Sequence, residues 1–230
     1  MRKIPSKFEN PLDTVIIGHI DNVQSRFYKL GVTPNILTTF SVICQLLSMY
    51  FFVNNKDYYT AYSVIFFGLS YYFDCFDGHL ARSYNMVTKF GDYYDHISDL
   101  LKIIGFIVLI YIYYKSYFYI SLGLIVSFGL LSMIHLSCQE HYYANSSDTM
   151  HYLKYICPTK YLNIEIGKCL SITKYVGCGT YMLVAMLLII FLKTRPADTT
   201  SESISDSTSD STSDSNSENK YVISTSDTKN

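Results

Sequence analysis

The sequence predicts an all-α integral membrane protein: a bundle of five to six transmembrane helices with an N-terminal amphipathic helix. First, 49% of the 230 residues are apolar and only 16% are charged, whereas about 25% is usual in soluble domains. Second, the apolar residues form long uncharged runs. Third, the N-terminal residues carry apolar side chains at helical spacing. The net charge of -1 argues against a nucleic-acid binder, which needs a basic surface.

Uncharged runs predict the spans, because a hydrocarbon core of about 30 Å needs roughly 20 apolar residues in a helix. The first run follows Pro34, a residue that suits the first turn of a helix. A sixth span would have to come from residues 151–172, where the support is weak. The five runs occupy residues 36–53, 58–73, 103–114, 117–138 and 175–192.

Three regions are expected: an amphipathic cytoplasmic segment (1–33), a transmembrane catalytic domain (34–194) and a disordered acidic, Ser-rich tail (195–230). In the first region Ile16, Ile20, Val23 and Phe27 share one helix face, which suits a helix on the membrane surface or one packed on the protein core. In the tail an inert solubilising role is favoured over phosphorylation. Lys and Arg concentrate in 1–33, 80–90 and 139–174, so the positive-inside rule places these regions in the cytoplasm.

Four acids form two pairs near the second and third runs. Asp74 and Asp77 are three residues apart, and Asp95 and Asp99 are four apart, so each pair shares a helix face. The small residues beside them are Gly78, Ala81 and Gly91.

Four uncompensated acids near a membrane interior would cost on the order of 10 kcal/mol, and few cations are close in sequence. Two bound Mg²⁺ or Mn²⁺ ions would neutralise them, because these hard ions prefer carboxylate oxygens. Two ions would also suit a diphosphate substrate. Because the positive-inside rule places residues 80–90 in the cytoplasm, the acids on either side of them are expected at the cytoplasmic face. The six cysteines lack a C-x-x-C pair, which argues against a zinc site or a disulfide scaffold.

The segment 74–99 reads D-x2-D-G-x2-A-R-x8-G-x3-D-x3-D and resembles the signature of the CDP-alcohol phosphatidyltransferases at all eight fixed positions. Asn35, in Thr33-Pro34-Asn35, is similar to the family's Pro-Asn pair before its first membrane helix. The resemblance implies a transferase of phospholipid biosynthesis, in which the hydroxyl of a second alcohol displaces CMP from a CDP-alcohol. It also implies a homodimer, because members of the family often form one.

The resemblance implies roles for individual residues. Metal ligands would be Asp74, Asp77 and Asp95, with Asp99 as a further ligand or the general base. The substrate-binding residues would be Gly78, Ala81, Arg82, Gly91 and Asn35.

A histidine beside the third acid is similar to one in the choline/ethanolamine phosphotransferase branch, where a Glu also follows the motif glycine. Here Asp92 replaces that Glu, four residues before His96, so the two could act as a catalytic dyad. A structural role for His96 is an equal alternative.

The histidine favours transfer from CDP-choline or CDP-ethanolamine to diacylglycerol. The short chain favours CDP-diacylglycerol as donor, with inositol, glycerol phosphate or serine as acceptor. From other protein classes, a non-catalytic membrane scaffold that retains the metal site and a divalent-cation transporter are the alternatives. A transporter would spread its acids through several spans, whereas these lie at one end of two.

Overall fold

The computed structural model describes residues 2–54, 56, 58–143 and 151–198, and within these ranges all regular structure is helical. Short 3₁₀ turns lie at Ser6–Phe8, Lys115–Tyr117, His151–Ile156 and Lys174–Val176. The eight α-helices are α1 (Pro11–Lys29), α2 (Pro34–Val53), α3 (Tyr59–Ser83), α4 (Lys89–Tyr113), α5 (Phe118–Tyr142), α6 (Thr159–Leu162), α7 (Ile166–Thr173) and α8 (Cys178–Lys193). The all-α prediction is confirmed. The division into three regions stays a prediction, and most of the predicted tail (199–230) lies outside the described residues.

Four stretches within the described residues are long and apolar enough to cross a membrane: Pro34–Val53, Lys89–Tyr113, Lys115–Tyr142 and Ile166–Lys193. The predicted span at 58–73 belongs to α3, which falls outside this group. With 25 residues α3 is long enough to cross, at about 37 Å, but its acids and tyrosines make it less apolar. It packs most extensively against α2. Among the described residues of 151–172, no helix exceeds eight residues, so this stretch does not form a sixth spanning helix by itself.

Small polar residues let α2 and α3 pack closely, as is common between membrane helices. Ser48 Oγ donates to the Ser63 carbonyl at 2.8 Å, and Ser63 Oγ donates to the Ser48 carbonyl at 3.0 Å. An apolar core then joins α2, α3, α4, α5 and α8. Its buried aromatic residues are Phe52, Phe67, Phe106 and Tyr114.

The amphipathic helix α1 packs its apolar face on the protein. Ile20 is fully buried with Phe76 and Leu80 of α3. At its start, the Tyr71 hydroxyl donates to Asp13 at 2.5 Å. Of the two alternatives that the spacing left open, this favours packing on the core over lying on the membrane surface.

A short connection between α3 and α4 places both acid pairs at one end of the bundle. It reverses the chain through Asn85 with φ 54°, a left-handed conformation that Asn tolerates better than most residues. Thr88 then caps α4 by accepting a hydrogen bond from the Gly91 amide at 3.0 Å. The acids near the end of α3 therefore meet those near the start of α4.

Candidate metal and substrate site

Three of the four motif acids converge between α3 and α4. Carboxylate oxygens of Asp74, Asp95 and Asp99 all lie within 4.8 Å of one another. The predicted convergence of the two helix faces is therefore confirmed for these residues. Since each carboxylate offers oxygen to a shared point, the group has the geometry of a cation site.

The fourth acid, Asp77, lies outside that close group. Its side chain is buried, and its Oδ2 accepts a hydrogen bond from Thr38 Oγ1 of α2 at 2.6 Å. Asp77 is about one helical turn beyond Asp74 on α3, and the hydrogen bond from Thr38 holds its carboxylate against α2. Its predicted role as a metal ligand stays a prediction.

Lys102 provides the positive charge at this site. Its Nζ lies 2.8 Å from Asp74 Oδ1 and 2.6 Å from Asp99 Oδ1, and it donates to Ser41 Oγ at 3.0 Å. One lysine thus ties α2, α3 and α4 together. It offsets only part of the charge, because three carboxylates converge beside this one ammonium group.

The residues present fit divalent cations. Asp95 Oδ1 is buried, and within the described part of the chain it has no hydrogen-bond partner. A buried carboxylate oxygen without a donor is costly, and a cation would satisfy it. All three converging ligands supply hard oxygen atoms, which suit Mg²⁺ or Mn²⁺.

Two small residues of α3 border the acids. A Cβ added to Gly78 would lie 3.0 Å from Arg82 Nη1, so this glycine leaves room for the guanidinium to lie back along the helix. Arg82 Nε is buried and has no hydrogen-bond partner among the described residues. The Ala81 carbonyl accepts from the Met86 amide at 2.8 Å where α3 ends. The structure therefore places the Arg82 guanidinium against Gly78, the residue that follows Asp77.

The other predicted substrate-binding residues meet where α2 and α4 begin. A Cβ on Gly91 would lie 3.0 Å from Asn35 Oδ1 and 3.1 Å from Thr88 Oγ1. Gly91 therefore allows a close approach of the two helices. Asn35 packs against the motif glycine, a neighbourhood that the sequence did not predict.

The predicted dyad is only partly formed. His96 Nδ1 lies 2.6 Å from the Asp92 backbone carbonyl but 3.6 Å from Asp92 Oδ1. At 2.6 Å the ring nitrogen donates to the carbonyl, so the backbone is the closer partner of the imidazole. The shorter acid at this position explains why its carboxylate does not take that bond.

Two polar residues of the site, Thr38 and Ser41, were not identified from the sequence, and Lys102 was noted only as a cation close in sequence to the acids. Thr38 and Ser41 lie on the buried face of α2, where serine and threonine are ordinary packing residues in membrane helices. Lys102 is three residues after Asp99, a spacing that would predict an ion pair on the same helix face.

The chain belongs to the CDP-alcohol phosphatidyltransferase family, whose model matches residues 31–194. The match extends beyond the signature through α8 and thus covers the whole helical bundle after α1.

Curated relatives share shorter segments. The chain is 30% identical over 84 residues to the CDP-diacylglycerol--inositol 3-phosphatidyltransferase of Candida albicans, covering 36% of this chain and 35% of that protein. It is 35% identical over 71 residues to the CDP-diacylglycerol--glycerol-3-phosphate 3-phosphatidyltransferase of Rickettsia typhi, covering 30% and 39%. It is 30% identical over 103 residues to the archaetidylinositol phosphate synthase of Pyrococcus horikoshii, covering 44% and 48%. The chain thus spans less than half the length of each of these relatives. No solved structure matches it.

The names of these relatives do not support the preference for choline or ethanolamine. The first two specify CDP-diacylglycerol as donor, which agrees with the alternative that the short chain favoured. The roles of Asp92 and His96, on which the resemblance to the choline/ethanolamine branch rested, stay predictions.

Proposed function

We propose that this protein is a membrane phosphatidyltransferase that moves the phosphatidyl group of CDP-diacylglycerol to a hydroxyl of a small polyol, with release of CMP. The observation that carries the proposal is the convergence of Asp74, Asp95 and Asp99 within the family's signature. Family membership supports the reaction class, and the names of the relatives support the donor.

The acids would hold the diphosphate end of the donor through divalent cations. Asp74, Asp95 and Asp99 would share one ion, and Asp77, whose carboxylate accepts a hydrogen bond from Thr38, would bind a second one. Bound there, Mg²⁺ or Mn²⁺ would stabilise the charge that develops on the diphosphate oxygens during transfer.

Arg82 is the phosphate-binding residue nearest to these acids in the signature. Its Nε is buried and has no hydrogen-bond partner in the part of the chain that the structure describes, so a phosphate oxygen would satisfy it. A guanidinium binds phosphate oxygens through paired N–H groups. We assign it to the cytidine-side phosphate, which would leave with CMP.

The proton of the acceptor hydroxyl would go to Asp99. Its side chain is 39% exposed against 22% for Asp74, so of these two carboxylates it is the more accessible to an alcohol. The hydroxyl oxygen forms the new bond to the phosphatidyl phosphorus as the bond from that phosphorus to CMP breaks, and the proton remains on the carboxylate. His96 is the second candidate for the general base, since it lies three residues, about one helix turn, before Asp99.

The exposed apolar side chains of α4 lie away from the acids. Phe90, Ile97 and Leu101 are 69%, 55% and 64% exposed, and with 3.6 residues per turn they fall on the side of the helix roughly opposite Asp95. They suit contact with a lipid bilayer and do not choose between CDP-diacylglycerol and diacylglycerol as the lipid substrate. The choice of donor rests on the relatives.

The test is CMP release by the purified full chain in lipid micelles with Mn²⁺. CDP-diacylglycerol is supplied with inositol or with glycerol 3-phosphate, and CDP-choline and CDP-ethanolamine are each supplied with diacylglycerol. Asp95→Asn is the inactive control, checked for intact folding by its melting temperature. A second control omits the divalent ion and adds EDTA.

We expect CMP only with CDP-diacylglycerol, dependent on one of the two polyols and lost in the variant. Release from CDP-choline or CDP-ethanolamine would overturn the proposed donor and keep the reaction class. If a folded, metal-binding protein releases no CMP with any pair, the enzyme proposal fails and a non-catalytic scaffold takes its place. The cytoplasmic orientation of the site and the homodimer also remain proposals, to be tested by cysteine labelling and by mass measurement in detergent.

A further inference from the structure

A second cluster of metal-binding side chains lies away from the acids. The Sγ atoms of Cys138, Cys157 and Cys169 are mutually within 4.8 Å, and Cys138 Sγ is 3.0 Å from each of the other two. They come from the end of α5, the segment before α6, and α7. None of the spacings between them is a metal-binding motif, so the sequence argument against zinc could not detect this convergence.

The three thiols are buried in an apolar setting. Their exposed fractions are 0%, 1% and 5%, and they pack with Ile4 and Leu170. Apart from one another, the polar contact of the cluster is Thr159 Oγ1, 3.2 Å from Cys157 Sγ. Among the described residues, these three thiols have hardly any other polar partner. Three soft sulfur ligands that converge in an apolar environment are the arrangement that a thiophilic ion requires.

We propose that these cysteines form a structural site for Zn²⁺, separate from the catalytic ions. A Zn–S bond of about 2.3 Å places two ligands of one ion about 3.8 Å apart, so the sulfur atoms need to separate by less than about 1 Å. Zinc is favoured over Cu⁺ because the doubly charged ion leaves three buried thiolates with less net charge to bury. A nearby hydroxyl or a water molecule would complete the tetrahedron.

A zinc ion at this site would stabilise the segment that contains α6 and α7. Residues 151–173 contain only short helices, and short helices have little stability by themselves. One ion bound to α5, to Cys157 and to α7 would hold them against the end of the bundle. Metal binding of this kind contributes directly to folding.

The test begins with the metal content of the full chain, purified in detergent without chelators and measured by elemental mass spectrometry. We expect about one zinc per chain in the wild type, a stoichiometry near zero in Cys169→Ser, and no change in Cys44→Ser, a buried cysteine outside the cluster. Asp95→Asn should also keep its zinc, which separates this site from the acids. Limited proteolysis should cut within 143–177 faster in Cys169→Ser than in Cys44→Ser.

A measurement on the wild type guards against a variant that fails to fold. Replacement of zinc by Co²⁺ should produce thiolate-to-cobalt charge-transfer absorption, and a chelator should abolish it. A wild-type protein without zinc and without that absorption overturns the proposal. A disulfide among the three cysteines in unreduced protein, or copper in place of zinc, would also overturn it.

Discussion

Lys102 should control how strongly the protein depends on divalent ions. Its ammonium contacts Asp74 at 2.8 Å and Asp99 at 2.6 Å, and its side chain is only 13% exposed. Without an ion, Lys102 compensates these acids; with an ion bound, its charge repels the ion. Lys102→Met should therefore lower the stability of the ion-free protein and strengthen the binding of the ion.

The loss of stability expected in Lys102→Met without the ion can be worked out from how deeply the ion pair is buried. Removing one partner of a buried ion pair costs roughly 3–5 kcal/mol, and the 39% exposure of Asp99 reduces this to about 1–3 kcal/mol through solvent screening. For a chain of this size, about 1 kcal/mol corresponds to about 2–4 °C. We expect Lys102→Met to melt about 3–10 °C lower than the wild type in EDTA, and within about 2 °C of it at saturating Mn²⁺.

The assay is thermal unfolding in detergent at one scan rate, because unfolding of membrane proteins is often irreversible. The midpoint of Mn²⁺ stabilisation should also fall by about 10-fold, since one repelling charge is gone. Lys102→Arg retains the charge and should resemble the wild type. Lys115→Met, at the opposite end of the bundle, loses the same charge without touching the acids. If Mn²⁺ raises the melting temperature equally in Lys102→Met and in the wild type, the acids and Lys102 do not share an ion site.

Three further predictions concern catalysis, and CMP release measures all of them. Asp95→Asn should lose at least about 100-fold in kcat, since metal-held charge stabilisation contributes several kcal/mol; a loss of less than about 5-fold would exclude it as a ligand. Gly78→Ala should raise the KM for the donor by about 3–10-fold, because its Cβ would displace Arg82 from 3.0 Å, whereas Gly123→Ala, with no atom within 4 Å of its Cβ, should not. Asp92→Asn should stay within about 3-fold of the wild type, because the imidazole bonds to the backbone carbonyl that Asn keeps; a loss beyond about 30-fold would restore the catalytic dyad.

The convergence of three motif acids could be predicted from the sequence because its signals are local. Asp74, Asp95 and Asp99 repeat at helical spacing on either side of a connection too short to let the helices diverge, so their meeting follows from helix geometry. Gly91 was also singled out, as a small residue beside the acids. What it faces, Asn35, depends on how α2 crosses α4, and that angle is set by packing that spacing alone does not reveal.

Other features required contacts between distant parts of the chain. The docking surface of α1 could not be chosen from periodicity, because an apolar stripe suits a membrane surface and a protein core equally. Its position was decided by Ile20 against Phe76 and by Asp13 against Tyr71. The span at 58–73 was predicted from the lack of charge, but α3 as a whole is not among the helices that are apolar enough to cross a membrane. Its acids and tyrosines lower its mean hydropathy. A helix that packs extensively on a neighbour, as α3 does on α2, does not need a strongly apolar surface.

The contacts of the first ten residues impose an order on assembly. Asn10 Nδ2 donates to the Lys174 carbonyl at 2.7 Å and to Thr180 Oγ1 at 2.8 Å, 164 and 170 positions later, and Lys3 pairs with Glu140. At a synthesis rate of roughly 5–20 residues per second, the partners of Asn10 emerge roughly 10–35 s after it does. During that interval Asn10 lacks these two partners, while α1 and α2 can already pack on α3. The contacts of Asn10 therefore form after the first three helices have met, although Asn10 is made before them.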